Sequence, residues 1–288
     1  MSSEIICLNP VMSTTRRLVR TGESFQTDAP LWGGLRRAGL FKEDHKDQVL
    51  VSVLTVVYNG ASCLKRTIES VLSQDHPNVE YIVVDGGSTD GTLDVIKSYE
   101  DAIDLWISEK DKGLYDALNK GIQLARGKYI THVHADDYYS DATSITRIMA
   151  QVTDEPVVYG QVVRNVAGTE KVDGAEFNRD KELFSMKVPH PAFFVRRDVY
   201  LDIDPYSMEY RLAADYDMVL RLAGRYPLKF VPERVSCMST GGLSDRQVYQ
   251  AYRESRIITI KHGLNPCQAW MFYFIKCFKS WLHTAIFR

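Results

Sequence analysis

Apolar and polar positions fall into a regular order from residue 49 onward. Residues 49–57 are a β-branched apolar run, broken by Tyr58-Asn59-Gly60, which is the pattern of a buried strand. Over 61–74, Leu64, Ile68, Val71 and Leu72 recur at helical spacing. A second strand is predicted over 81–84, ending at Asp85-Gly86-Gly87-Ser88, and a helix over 91–99. Residues 103–107 predict a third strand, and 114–125 an amphipathic helix with Gly127 as its C-cap. The fourth strand, 129–133, runs straight into His134-Ala135-Asp136-Asp137. Strands alternating with helices at this spacing predict βαβ units and an α/β fold with a mostly parallel sheet. In such sheets ligands bind at the carboxyl ends of the strands, where the polar clusters lie.

The second half reads as mixed. Strands are predicted over 157–163, 171–172, 192–195, 228–231 and 234–238, and helices over 213–222, 245–262 and 266–286. Residues 1–48 lack a period and are expected to be an extension before a main domain over 49–240, with a helical segment over 241–288. The chain has 288 residues, 45% hydrophobic and 25% charged, which excludes wholesale disorder. With 35 Lys and Arg against 37 Asp and Glu, it lacks the basic excess of a dedicated nucleic-acid binder. Five cysteines, none in a Cys-x-x-Cys pair, argue against a disulfide framework or zinc cage and fit a reducing, cytoplasmic setting. Arg16, Arg17 and Arg20 are not followed by the apolar run of a secretory signal, and no run of 18 apolar residues exists.

Four clusters carry candidate chemistry. Strand one ends with a single glycine, so neither the G-x-G-x-x-G dinucleotide fingerprint nor a phosphate loop is present. Asp85 closes an apolar strand, where a charge needs a partner, and a nucleotide base or ribose would supply one. Ser88 to Gly91 read as a strand-to-helix turn, with Thr89 or Asp90 as the helix N-cap. The adjacent carboxylates of Asp136 and Asp137 repel each other, and a hard divalent cation (Mg²⁺ or Mn²⁺) would relieve this. The plain alternative is a solvated turn, with Asp141 capping the next helix. Asp215 and Asp217 open a helix, one serving its N-terminus and the other free to act as a general base. His190, framed by Pro189 and Pro191, is a candidate acceptor or phosphate contact or a structural histidine. Gly241-Gly242-Leu243-Ser244, with Arg246, reads as a loop that closes over a pyrophosphate or as a plain turn.

The segments VLVSVLTVVYNG, VDGGSTDGT, DKGLYDALNKGIQLARGKYI, HADD and ADYD, in this order, resemble family 2 glycosyltransferases over about 49–225. The resemblance implies a GT-A fold, a Rossmann-like nucleotide-diphospho-sugar transferase. It also implies that Val56, Tyr58 and Asp85 line the base. Asp136 and Asp137 match the DXD-type metal motif, with Asp137 the direct ligand and Asp136 nearer the ribose. The first position of that triplet is His134 here, and Gly86 stands where many relatives carry a second acid. Asp215 matches the catalytic base, preceded by Ala214 rather than Glu, and Asp217 a helix-start residue. The implied reaction is inverting, metal-dependent transfer from a nucleotide-sugar, UDP-linked by preference. The implied acceptor is a saccharide or polyprenyl-linked saccharide in exopolysaccharide, capsule or O-antigen synthesis. An inactive nucleotide-binding protein of the same fold, a sugar nucleotidyltransferase and a polymerising synthase are the rivals. In 266–288, Lys276, Lys279, Ser280, His283 and Thr284 share one helical face, and Trp270, Phe274, Phe278, Trp281, Leu282 and Phe287 take much of the rest. Such a helix fits peripheral contact with the inner membrane face, or packing over the protein's own core or a partner subunit.

Overall fold

A computed structural model describes residues 4–6, 18–20, 27–45, 48–166, 168–239 and 241–286. Four short strands come first: β1 (Glu4–Ile6), β2 (Leu18–Arg20), β3 (Leu31–Gly33) and β4 (Leu40–Phe41). The alternating stretch follows as β5 (Val51–Val57), α1 (Leu64–Leu72), β6 (Val79–Asp85), α2 (Thr92–Lys97), β7 (Leu105–Ser108), α3 (Leu114–Leu124) and β8 (Tyr129–His132). Then come β9 (Tyr138–Tyr139), α4 (Ser144–Met149), β10 (Val157–Val166), β11 (Thr169–Asp173), α5 (Arg179–Phe184), β12 (Phe193–Arg196) and α6 (Arg197–Asp202). The chain ends in α7 (Ala214–Ala223), β13 (Leu228–Met238), α8 (Leu243–Arg246), α9 (Val248–Lys261) and α10 (Pro266–Ile286).

Ten strands form one sheet in the order β3-β7-β6-β5-β8-β12-β10-β13-β9, with β11 paired to β10. The central run β7-β6-β5-β8 is parallel. Beyond it β12 runs antiparallel to both β8 and β10, and β13 is parallel to β10. The strands predicted over 228–231 and 234–238 are one element, bent where its register against β10 shifts between Tyr159 and Val162. All seven residues of β5 are buried because both sheet faces are covered. Leu54 and Val56 share one core with Leu118 and Ile122 of α3, while Val51, Val53 and Val57 share the other with Leu64, Ile68 and Val71 of α1.

The expected extension is, from residue 31, part of this domain. β3 pairs antiparallel with β7 as the sheet's edge strand. Arg36 and Lys42 are buried, Arg36 against Glu80 and Lys42 against Asp104 at 2.8 Å. Burial works against the Glu80 charge, and Arg36 with Ser52 overrides it, leaving that carboxyl below its usual range. Burial pushes the Asp104 carboxyl up, and Lys42 opposes the rise. Two buried acids at the sheet's amino end need these cations, and no local periodicity announces them. Gly127 also differs from expectation, since Ala125 is the C-cap of α3. A β-carbon at Gly127 would lie 2.6 Å from the Ser52 nitrogen, so this glycine serves close passage of two backbones.

α10 turns the opposite face to the protein from the one its charges suggest. Phe272, Tyr273 and Lys276 line a narrow crevice with Tyr252 and Arg256 of α9 and Phe184 of α5. Lys276 is therefore half-buried, and burial lowers its ammonium pKa. Trp270, Phe274, Phe278 and Trp281 face outward. Phe287 and the side chains of His283 and Thr284 lie outside the described residues, as do Cys7, Arg16 and Arg17. Among the described residues no helix is long and apolar enough to cross a membrane.

Candidate active site

A cleft of about 860 Å³ opens at the carboxyl ends of the parallel strands. Val56, Val57 and Tyr58 line it from β5, Gly86 and Gly87 from β6, Lys110 to Leu114 from the segment after β7, and Arg211 and Leu243 from loops farther on. The loops after β5 and β6 are clamped together. Asn59, in the left-handed region at φ 50, donates its backbone N–H to Ser88 Oγ at 2.7 Å and accepts from the Thr89 N–H at 2.9 Å. Gly60 donates to Thr92 Oγ1 at 2.9 Å, and Asp90 Oδ1 accepts from the Thr92 N–H at 3.1 Å. The polar groups of this turn are thus used internally. The N-cap is Gly91, not Thr89 or Asp90, and Asp90 supports it from one residue outside.

Asp85 is buried at the end of β6, and the chain supplies the partners its charge requires. Its carboxylate accepts from the Ser88 N–H at 3.1 Å and from Ser108 Oγ at 2.6 Å. The acid that lines the cleft is Asp111. Its Oδ1 accepts from the Gly113 N–H at 2.9 Å. Burial pushes its carboxyl up from the usual range. An ideal β-carbon at Gly86 would lie 2.3 Å from Asp111 Oδ2, so the Asp111 carboxylate fills the space that a side chain at 86 would take. Lys110, Lys112 and Arg211 also line the cleft, and none makes an ion pair with another described residue. Three cations free of ion pairs around one cavity, against the single acid Asp111, favour an anionic ligand.

Asp136 and Asp137 stand beside this cleft rather than in its lining. Their loop touches the β5 turn, where a β-carbon on Gly60 would lie 3.6 Å from Ala135 Cβ. Thr67 of α1 donates its hydroxyl to the backbone carbonyls of Ala135 and Asp137 at 2.8 and 2.7 Å, which fixes the loop. Arg66 donates to the Asp136 carbonyl at 2.7 Å. Asp137 is buried, and Oδ1 accepts one hydrogen bond, from the Ser239 N–H at 2.9 Å. Burial and then the Asp136 charge raise its carboxyl to about 7. Among the described residues no group of three or more His, Cys, Asp or Glu could hold a metal ion. A crowded carboxylate pair short of protein ligands fits a divalent cation that completes its shell with phosphate oxygens.

Asp215 lies in the first turn of α7. Oδ1 accepts from the Tyr115 hydroxyl at 3.1 Å and from the Tyr216 N–H at 2.8 Å, and Oδ2 has no protein donor among the described residues. Burial raises its carboxyl, and the two hydrogen bonds oppose the rise. Tyr115 lies between the cleft residues Leu114 and Ala117 on α3, which ties Asp215 to the cleft. Asp217 is structural, held by Arg221 at 2.7 Å and His262 at 3.0 Å.

His190 is buried, not exposed to a ligand. Its Nε2 meets the Tyr206 hydroxyl at 2.7 Å, and its ring lies 4.6 Å from that of His132 and 5.8 Å from that of His134. Burial, with His132 and His134 alongside, holds it well below the usual histidine range. It therefore belongs to a neutral aromatic floor under the Asp136 loop. In the following loop, Gly241 takes φ 85 and its carbonyl accepts from Arg246 Nε at 2.9 Å. Leu243 reaches the cleft, whereas Gly241, Gly242, Ser244 and Arg246 are not in its lining. Sequence reasoning assigned no role to Lys110, Asp111, Lys112 or Tyr115, although all stand in or beside the quoted DKGLYDALNKG segment. Arg211 carried no signal, since it stands in irregular chain before α7.

The sequence pattern of the family described as Glycosyl transferase family 2 matches residues 52–203, more than half of the chain. This chain belongs to glycosyl transferase family 2. A PGL/p-HBAD biosynthesis glycosyltransferase of Mycobacterium bovis is 33% identical over 178 residues, covering 60% of this chain and 69% of that protein. An uncharacterized glycosyltransferase of Mycobacterium tuberculosis is 32% identical over 227 residues, covering 75% and 85%. The structure of S. aureus TarS 1–349 in complex with UDP-GlcNAc superposes with a TM-score of 0.57 at 17% identity, covering 78% of this chain and 70% of that one. The mannosyltransferase PcManGT from Pyrobaculum calidifontis, in complex with GDP-Man and Mn²⁺, gives 0.57 at 17%, covering 81% and 75%. The ten-stranded sheet is thus the GT-A fold of this glycosyltransferase family, and the chain is a glycosyltransferase.

Proposed function

We propose that this family 2 enzyme moves a sugar from a nucleotide-diphosphate donor, UDP-linked by preference, to a hydroxyl of a saccharide or lipid-linked saccharide, inverting the anomeric carbon. The observation that carries the reading is the cleft itself. It gathers Lys110, Lys112 and Arg211, with no ion pair among the described residues, at the strand ends, beside the Asp136-Asp137 pair and Asp215. The cations suit a diphosphate, and Asp111 suits the hydroxyl or N–H donors of the nucleoside. In one displacement the acceptor oxygen bonds the anomeric carbon as the bond to the diphosphate oxygen breaks, and the leaving group takes the electron pair. The acceptor proton passes to Asp215 Oδ2, whose raised affinity for a proton suits a general base. Tyr115 and the Tyr216 N–H hold Oδ1, which leaves Oδ2 to face the acceptor. Asp137, with Asp136, would hold a divalent cation, which when bound supplies Lewis-acid neutralisation of the diphosphate.

The relatives' names support a cell-surface glycoconjugate as product. One is named for PGL/p-HBAD biosynthesis, and TuaG of Bacillus subtilis, 41% identical over 91 residues, for teichuronic acid biosynthesis. Calorimetric titration of UDP, GDP and TDP, with and without Mn²⁺, tests the donor. UDP binding that tightens with Mn²⁺ is the expected result. Preference for GDP or TDP replaces the UDP assignment, and no binding of any diphosphate by the folded chain overturns the donor reading.

A further inference from the structure

The outward side of α10 is largely exposed, with Arg256 of α9 lying over Trp270 at one end. Trp270, Phe274, Phe278 and Trp281 are 44%, 60%, 60% and 58% exposed along one side of a 21-residue helix, which is about 32 Å long. A continuous apolar stripe of this kind on a folded protein marks a docking surface. The surrounding charge shows what docks there. α9 and α10 carry Arg253, Arg256, Lys261, Lys276 and Lys279 against a single acid, Glu254, in a chain whose formal charge is −2. Glu254 is buried and accepts from the Leu212 and Ala213 N–H groups at 2.8 and 3.1 Å. Lys261 pairs with Asp217, and Lys276 is turned inward. Arg256 lies 3.6 Å over the Trp270 ring, Arg253 is within Coulombic reach of Tyr273, and Lys279 is exposed on α10. On α5, packed beneath, Glu182 is spent on the Lys187 and Val188 N–H groups, and Asp180 stands between Arg179 and Lys181.

A second copy of the chain answers this surface poorly. A two-fold contact would set these bases against their own equivalents, with no exposed carboxylate on either helix to pair them. An anionic lipid surface answers both features, taking the aromatic rings at the headgroup boundary and the bases at the phosphates. We propose that α9 and α10 form a docking surface for an anionic bilayer, with α10 lying in the interface and its Trp270-to-Trp281 side turned to the lipid. The helix lies on the membrane and does not span it.

Co-sedimentation of the full chain with phosphatidylcholine vesicles, with and without phosphatidylglycerol, tests this directly. Binding is expected to be at least about tenfold tighter with phosphatidylglycerol and to weaken with added salt. The double variant F274S/F278S alters two exposed side chains, so folding is retained, as circular dichroism would confirm. It is expected to weaken vesicle binding about a hundredfold. R253S/K279S is expected to lose about thirtyfold on anionic vesicles and nothing on neutral ones. No vesicle binding by the unaltered chain overturns the proposal, and so does equal binding to both vesicle types. A dimer in light scattering that F274S/F278S converts to monomer, with vesicle binding unchanged, assigns the surface to a second copy instead. Vesicle binding needs neither donor nor turnover, so its failure leaves the transferase reading standing, and a failed UDP titration leaves the lipid surface standing.

Discussion

The two ends of the parallel sheet treat charge in opposite ways. At the amino end, Glu80 meets Arg36, Ser52 and the Arg126 N–H, and Asp104 meets Lys42 and the Tyr81 N–H. At the carboxyl end, Asp137 has one protein donor and a repelling neighbour, and Asp215 is half-buried with one oxygen unclaimed among the described residues. Lys110, Lys112 and Arg211 line the cleft there without an ion pair among the described residues. The same strands thus close one end with matched charges and leave the other unbalanced until a ligand arrives. A buried charge matched within the chain serves the fold, and one left unmatched in a cleft marks the chemistry.

Substitutions at the two ends should therefore fail in different ways. Asp215→Asn is expected to lower the turnover rate by about 10²–10⁴ while calorimetry shows donor affinity unchanged; full activity would remove Asp215 as the base. Arg36→Leu leaves Glu80 buried without its cation and is expected to cost about 3–5 kcal/mol in urea denaturation. Adding Glu80→Gln should recover much of that loss, and a single variant as stable as the parent would show that the pair does not hold the amino end. The third effect depends on pH. The folded-state pKa of Asp137 is raised to about 7, above the ordinary carboxylate value of the unfolded chain. Its contribution to stability is therefore complete below about pH 4 and is lost as pH rises through about 7. Without divalent cations the chain is expected to lose on the order of 4 kcal/mol across that window, and Asp137→Asn should flatten the profile. Lys112→Ala and Arg211→Ala are each expected to raise the donor KM about tenfold, the scale of one charge-assisted hydrogen bond, without altering stability.

The same contrast explains which parts were legible in the sequence. The strands and helices over 49–133 announce themselves because every residue of β5 and β6 is buried and one face of α1 and α3 is apolar. The polar end of the fourth strand marks Asp136 and Asp137 as candidates, and the start of the later helix α7 marks Asp215. Residues 31–42 could not be read, since Arg36 and Lys42 find their acids 44 and 62 positions away and leave no local period. Asp85 was recognised as a charge needing a partner, but that partner is Ser88 with Ser108, hydroxyls that carry no signal of their own. His190 was singled out for its proline frame, whereas its burial against Tyr206 is a tertiary fact. α10 was foreseen, and its orientation was not, because the inward Lys276 follows from packing on Phe184 and α9.

Gly86 and Asp111 have a consequence for what the site tolerates. The two positions compete for one small volume, which is filled from the segment after β7 and not from the end of β6. A side chain placed at 86 would have to displace the Asp111 carboxylate, so the bare glycine is what lets that acid face the cleft.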